Sequence, residues 1–333
     1  SPINFRKVAL IHKEYNPKGL GLFLTSYCNL YHDNPKEEYL EKINFLSNKL
    51  LTLATPGYSG ACWGYNFDWQ SRAFFLPKST PTIVATSFIS YALMDSYEIT
   101  KEKKFLDAAI SSTNFIINDL NRTPKREGFI FSYSPLDDTC VYNASLLGSR
   151  LLSRVYSYTK NPELISLAEE SVRACANTQR EDGSWVYGEL SMQGWVDSFH
   201  TGYNLECIAE YQKYSGDNSF HIHIEKGLSY YLNNFFLADG TPKYYNNKTY
   251  PIDVHAPAQL IATLSRLGVL KENKDLVNNV LKWNISNMQD SKQGYFYYQL
   301  KKGFSSKIPY MRWAQAWMFY AFSFYFKDIN NGK

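Results

Sequence analysis

Three aspartates and two histidines stand at matching places along this sequence of 333 residues. Asp138, Asp197 and Asp253 each precede an apolar stretch, and His200 and His255 follow the second and third of them by three and two residues. Two carboxyls can divide the hydrolysis of a glycosidic bond, one protonating the leaving oxygen and the other activating water. An imidazole can instead remove and return a proton near neutral pH. Either chemistry needs a binding surface, and the same neighbourhoods supply one: Trp63, Trp69, Arg72, Tyr142, Trp195, Tyr250, Arg312 and Trp313. Indole and phenol rings stack on the C–H faces of sugars, and arginine holds a carboxylate through two hydrogen bonds. An aspartate before a helix also has a plainer use, accepting hydrogen bonds from the free N–H groups of the first turn. A repeating fold would place such caps at equivalent positions, but it would not place histidines behind them. Arg312 lies in an otherwise apolar stretch, MRWAQAWMFYAF, where a charge is costly unless it is paired or faces a cavity.

The elements that must position these residues recur. Gly64, Gly128, Gly183, Gly240 and Gly294 are each followed by aromatic residues, at intervals of 64, 55, 57 and 54. So regular a period indicates repeated supersecondary units that bury their apolar faces against one another. Between the glycines, a helix that is apolar all round alternates with one that is apolar on a single face. The expected inner helices span 19–31, 81–99, 139–158, 199–214, 255–267 and 310–325. The expected outer ones span 36–53, 102–120, 162–178, 219–236 and 271–288, with the N-terminal segment left to supply a sixth or a cap. The fold class that follows is all-α, an (α/α)6 toroid forming one domain over 1–333, with short aromatic β-like segments in its loops. In such a ring the loops before the inner helices gather at one mouth, and the chemical residues above all fall there. Trp185 and Trp317 read as packing residues, and His221 and His223 as the surface of an outer helix.

Composition removes several alternatives. Charged residues make up 20% and the net charge is only +4, scattered along the chain, which argues against nucleic acid and is compatible with an acidic small molecule or glycan. Aromatic residues reach 17%, enough to line a wet groove as well as fill a core. Five cysteines without a CxxC pair suit reduced thiols in a cytoplasmic protein better than disulfides or zinc. No apolar run approaches the roughly 20 residues of a membrane span. No phosphate loop, GxSxG elbow or HExxH occurs, so neither a metal nor a cofactor is expected.

Gln179-x-x-x-Gly183-x-Trp185 resembles the QW repeat of the terpenoid-cyclase toroids, which implies a staple between successive outer helices. The acidic motif those cyclases use is absent, so the resemblance carries architecture alone. Met311-Arg312-Trp313-Ala314-Gln315-Ala316-Trp317 is similar to a stretch of the unsaturated glucuronyl hydrolases, which are six-hairpin carbohydrate enzymes, although Trp313-Ala314 departs from their arginine–glycine spacing. The chain also resembles proteins of bacterial and archaeal polysaccharide gene clusters. The leading expectation is therefore a glycoside hydrolase acting on an acidic, uronate-containing glycan, with its acid and base among Asp138, Asp197 and Asp253. A lyase or epimerase would instead neutralise a uronate with Arg312 or Arg72 and move protons through His200, His255, Tyr250 or Tyr142. A non-catalytic glycan-binding toroid would consume every Asp and His in caps. Two carboxyls open to the cavity and about 5–10 Å apart would mark the hydrolase. A His–Tyr–Arg cluster with the carboxylates turned into helix ends would mark the lyase or epimerase.

Overall fold

A computed structural model describes residues 4–6 and 8–330, so the ends of the 1–333 span fall outside it. Eleven helices alternate in role along the chain. The inner ones are α1 (Pro17–Asp33), α3 (Ile83–Thr100), α5 (Tyr142–Thr159), α7 (Ser198–Ser215), α9 (His255–Arg266) and α11 (Ala316–Asn330). The outer ones are α2 (Glu37–Thr52), α4 (Lys103–Asn118), α6 (Pro162–Ala176), α8 (His221–Phe235) and α10 (Lys274–Met288). Each inner helix packs on the next, and α11 returns to α1, which closes an α/α toroid. Among the described residues there are five outer helices, and residues 4–16 supply no sixth.

Local sequence sets the helix starts. Asn16 caps α1 by accepting the Gly19 N–H, with Pro17 in the first turn, and Thr82 and Asn161 cap α3 and α6 in the same way. The inner helices are buried nearly all round; α3 exposes little beyond its last turns. The aromatic loop segments form two short antiparallel hairpins, β1 (Trp69–Gln70) with β2 (Phe75–Leu76) and β3 (Arg122–Pro124) with β4 (Phe129–Phe131). A three-stranded sheet follows, in the order β5 (Ile252–Asp253), β6 (Gln299–Leu300), β7 (Ser305–Ser306).

Three of the five repeated glycines share a task. Gly128, Gly183 and Gly240 hold φ of +92°, +90° and +87°, and a Cβ on any of them would overlap a backbone carbonyl of the next outer helix, at Glu170, Lys226 and Asn279. In the first unit that seat belongs to Gly60, against Ser111 of α4. Gly64, the residue expected there, packs within its own loop. The staple implied by the QW stretch is present. Gln179 donates to the Gly183 and His223 carbonyls while its own carbonyl oxygen meets His223 Nδ1 at 2.8 Å, and Trp185 is buried. His223 is therefore part of a joint between outer units and not a free surface residue; His221 is exposed. All five cysteines are buried and unpaired, and no helix is long and apolar enough to cross a membrane.

Candidate active site

The N-terminal ends of all six inner strokes of the ring converge on one cavity of about 330 Å3. α1 contributes Lys18, α3 Val84, α5 Asn143, α7 Phe199, His200 and Tyr203, and α9 His255. The π-helical turn Met311–Gln315 that leads into α11 contributes Arg312 and Trp313. Over this floor the loops fold an aromatic rim. In the loop from Tyr65 to Trp69, Tyr65, Phe67 and Trp69 face the cavity, while Asn66 bonds Asn16 and Asp68 accepts from the Lys78 N–H. Tyr187 stacks on Trp195 at 4.6 Å, and Arg72 lies 4.7 Å over the Trp195 ring.

Asp197 and His200 act as a unit. Asp197 caps α7 by accepting the His200 N–H with one carboxylate oxygen. Its other oxygen meets His200 Nδ1 at 2.7 Å and accepts the Trp195 indole N–H at 2.8 Å. The carboxylate is 2% exposed and lies behind the cavity wall. With Nδ1–H donated to Asp197, Nε2 is the ring nitrogen left free, and the ring lines the cavity.

Asp253 is withdrawn further. It is fully buried on β5, where it accepts the His255 N–H, the Trp313 indole N–H and the Gln299 side-chain N–H. Burial raises its carboxyl to about 6 against those three donors. His255 is also buried, packed between Phe199 at 4.3 Å and Trp317 at 3.9 Å. Its Nε2 lies 3.0 Å from the Tyr203 hydroxyl, and its Nδ1 has no partner among the described residues. Burial, then the nearby Lys18, His200 and Arg312, hold this imidazole well below the usual histidine range, so it is neutral.

Arg312 sits within 5.3 Å of the Tyr65, Phe67 and Trp313 rings and has no carboxylate partner among the described residues. Lys18 is 5% exposed, above the rings of Phe88, Trp317 and Tyr203 at 4.7, 5.6 and 6.0 Å. No acceptor or carboxylate meets its amine among the described residues, and burial, with Arg312 adding repulsion, lowers it to about 7. The cavity thus carries Lys18, Arg72 and Arg312 and, among the described residues, no carboxylate in its lining. The positive ends of the inner helices add to this field.

Of the residues singled out in the sequence, His200, His255, Trp69, Arg72, Trp195, Arg312 and Trp313 line the cavity. Asp197 and Asp253 stand directly behind it. Four residues are elsewhere. Asp138 is exposed because α5 starts only at Tyr142 and Asp137, not Asp138, ties the preceding turn through Ser134 and Thr139. Trp63 is wholly buried beside α2, donating to the Leu50 carbonyl. Tyr142 is buried outside the cavity, and it is the next residue, Asn143, that reaches in. Tyr250 is 45% exposed at the loop surface. Sequence reasoning overlooked Lys18 and Tyr203. Lys18 is the only charge between Pro17 and Tyr31, in a first turn where the helix dipole disfavours a cation; Tyr203 follows His200 by three, on the same helix face. Among the described residues no group of His, Cys, Asp and Glu is placed to hold a metal ion.

No described protein family and no curated protein matches the sequence. In structure the chain is similar to a cellobiose 2-epimerase from Bacillus thermoamylovorans, with TM-score 0.73 and 14% identity over 96% of this chain and 88% of the other. An unsaturated glucuronyl hydrolase specific for heparin aligns with TM-score 0.67 and 15% identity, over 95% and 87%. A D-mannose isomerase aligns with TM-score 0.68 and 11% identity, over 94% and 86%. At these identities the likeness establishes the α/α-toroid fold.

Proposed function

We propose that this protein is a carbohydrate-active enzyme that moves a proton on carbon: an epimerase or isomerase of an acidic sugar. One observation carries the reading. The cavity presents His200, with its free Nε2 set by the Asp197 hydrogen bond at 2.7 Å, among cations and aromatic rings and without a carboxylate in the lining among the described residues. The hydrolase expected from the sequence needs two carboxyls open to the substrate. Asp197 and Asp253 are instead turned into helix ends and indole N–H groups. That solved structures of a cellobiose 2-epimerase and a D-mannose isomerase share the fold adds support.

In this reading the substrate is held as a monosaccharide or a chain end, since the cavity lies at the small end of the roughly 300–1,000 Å3 range of ligand sites. Trp69 and Trp313 pack on the ring faces, Trp195 holds Arg72 at the cavity wall, and Arg312 and Arg72 receive the carboxylate. His200 Nε2 removes the proton from the carbon next to the carbonyl. Neutral His255 donates its Nε2–H to the Tyr203 oxygen, which leaves the Tyr203 O–H to turn toward the cavity. That neutral hydroxyl polarises the carbonyl oxygen, on which charge develops in the transition state. Asp197 and Asp253 position the two histidines and do not touch substrate. A lyase would share the first step and differ only in expelling a group from the next carbon.

A second reading, hydrolysis of an unsaturated uronide, has one observation in its favour: Asp253, raised to about 6, keeps a proton into the weakly acidic range. Incubation of the protein with a panel of hexuronates and unsaturated uronides in heavy water separates the readings. Deuterium at the carbon beside the carbonyl, with appearance of an epimer or ketose, supports the proposal. New reducing ends, or loss of the unsaturated chromophore with deuterium entering only the former double-bond carbon, would replace it by the hydrolase.

A further inference from the structure

The mechanism above leaves one buried reactive group unused. Lys18 opens on the cavity floor, yet its amine meets no carboxylate, carbonyl or hydroxyl acceptor among the described residues. A structural lysine is normally either solvated or paired, because burying an unpaired ammonium is costly. Lys18 is unpaired among the described residues and only 5% exposed, on the cavity side: three aromatic rings surround it and Arg312 stands near. Desolvation by an apolar pocket beside a second cation is the arrangement that keeps a lysine unprotonated and nucleophilic. The other titratable groups facing it are Tyr203 on α7 and His255 on α9. Burial holds the first protonated and the second neutral, so neither offers a counter-charge.

Resting on the reading of the site as a sugar epimerase or isomerase, we propose that Lys18 is a nucleophilic amine that captures the open-chain carbonyl carbon of the substrate as an imine. The nitrogen lone pair forms the C–N bond while the carbonyl π pair moves to oxygen, which takes a proton. Loss of water leaves the protonated imine. When His200 removes the neighbouring C–H proton, the electron pair becomes the C=C bond of an enamine and the imine nitrogen is neutralised. Reprotonation of carbon regenerates the imine, and water returns to break the C–N bond and free the amine. The sequence consumes no oxidant, reductant or co-reactant.

The test is reductive trapping. Glyoxylate, a small anionic aldehyde, is incubated with the full chain and cyanoborohydride near neutral pH, and modified lysines are located by peptide mass spectrometry. Lys18 should be labelled at least about ten times faster than exposed lysines such as Lys42, each pH unit of lowered pKa giving about tenfold more free amine. Labelling no faster than Lys42 overturns the proposal. With a hexuronate that exchanges deuterium, Lys18→Arg and Lys18→Met should each lose at least about a hundredfold in exchange, the low end of what a positioned catalytic group contributes. The arginine variant keeps the cation and the methionine variant the packing on the three rings, so one of the two reports even if the other fails to fold. Exchange that survives in Lys18→Met, with no trapping in the wild type, sinks the imine and leaves the epimerase reading standing. Rapid trapping at Lys18 without exchange on any hexuronate supports the amine and sinks that reading instead.

Discussion

Asp197 performs two tasks that one substitution can separate. It caps α7 through the His200 N–H and fixes the His200 ring through Nδ1. Asparagine caps a helix about as well as aspartate, whereas alanine costs about 1 kcal/mol. Asparagine cannot hold the imidazole as a carboxylate does, and a mis-set tautomer in an Asp–His pair lowers turnover by orders of magnitude. Asp197→Asn should therefore lose at least about a hundredfold in kcat with little change in KM, and no more than about 1–3 kcal/mol of stability for the Trp195 and His200 ring N–H groups it no longer serves; a loss of activity no larger than the loss of folded protein explains would make the residue a cap alone. The sequence showed this pair because both partners lie within one helical turn. It could not show which way the carboxylates face: Asp138 and Asp253 occupy similar positions on paper, yet one is exposed and the other fully buried. Lys18 went unread for a different reason, since a single lysine in a first turn looks like an exposed one until the ring closes over it.

At the scale of the elements, the alternation of helices was legible because all-round and one-sided apolar patterns differ over any stretch of a dozen residues. Helix ends shifted by a few residues, as at Asp137–Val141, where irregular chain ending in the Val141–Gly188 bridge precedes α5, and of Tyr142 and Asn143 it is Asn143 that enters the cavity. The spacing of the glycines was also legible, although the seat in the first unit moved to Gly60 because the contact depends on the next outer helix and not on the aromatic run. That contact makes a prediction. Gly240 and Gly294 have similar backbones, at φ +87° and +75°, but a Cβ on Gly240 overlaps the Asn279 carbonyl and one on Gly294 meets nothing. Gly294→Ala should cost only the left-handed conformation, about 1–2 kcal/mol. Gly240→Ala should cost at least about 1 kcal/mol more, since α10 must move away to admit the methyl group. Urea unfolding of the two variants measures the difference, and equal costs would mean that the glycine seat does not hold the outer helices.

Across the whole molecule, the ring axis is divided into a cavity above and an ionic plug below. Roughly two turns beneath the floor, at 1.5 Å per residue, Arg150 and Arg266 bridge Glu206 and Glu210, while Arg154 pairs with Asp95 at 2.6 Å. Arg266 also donates to the Tyr320 hydroxyl at 2.8 Å, so the plug ties α3, α5, α7, α9 and α11 together. Burial raises both glutamates even with the arginines present, which shows how much they depend on that pairing. Arg266→Met should cost about 3–5 kcal/mol by leaving carboxylates uncompensated; a change under 1 kcal/mol in denaturant unfolding would remove the plug as the anchor of the ring. Lys18 contrasts with this network because nothing among the described residues balances it. Its amine is lowered to about 7 when folded, against an ordinary 10.5. Between those values the unfolded chain binds a proton that the folded protein does not, so stability from this group rises with pH; below about 7 both states are charged and the burial cost stands in full. Removing the amine with Lys18→Met should abolish that rise. Urea midpoints of the two proteins, compared at roughly pH 6, 8 and 9.5, should therefore diverge in favour of the wild type as pH increases. A constant difference, or one of opposite sign, would place a charged and satisfied lysine on the cavity floor and remove the physical basis for a nucleophilic amine there.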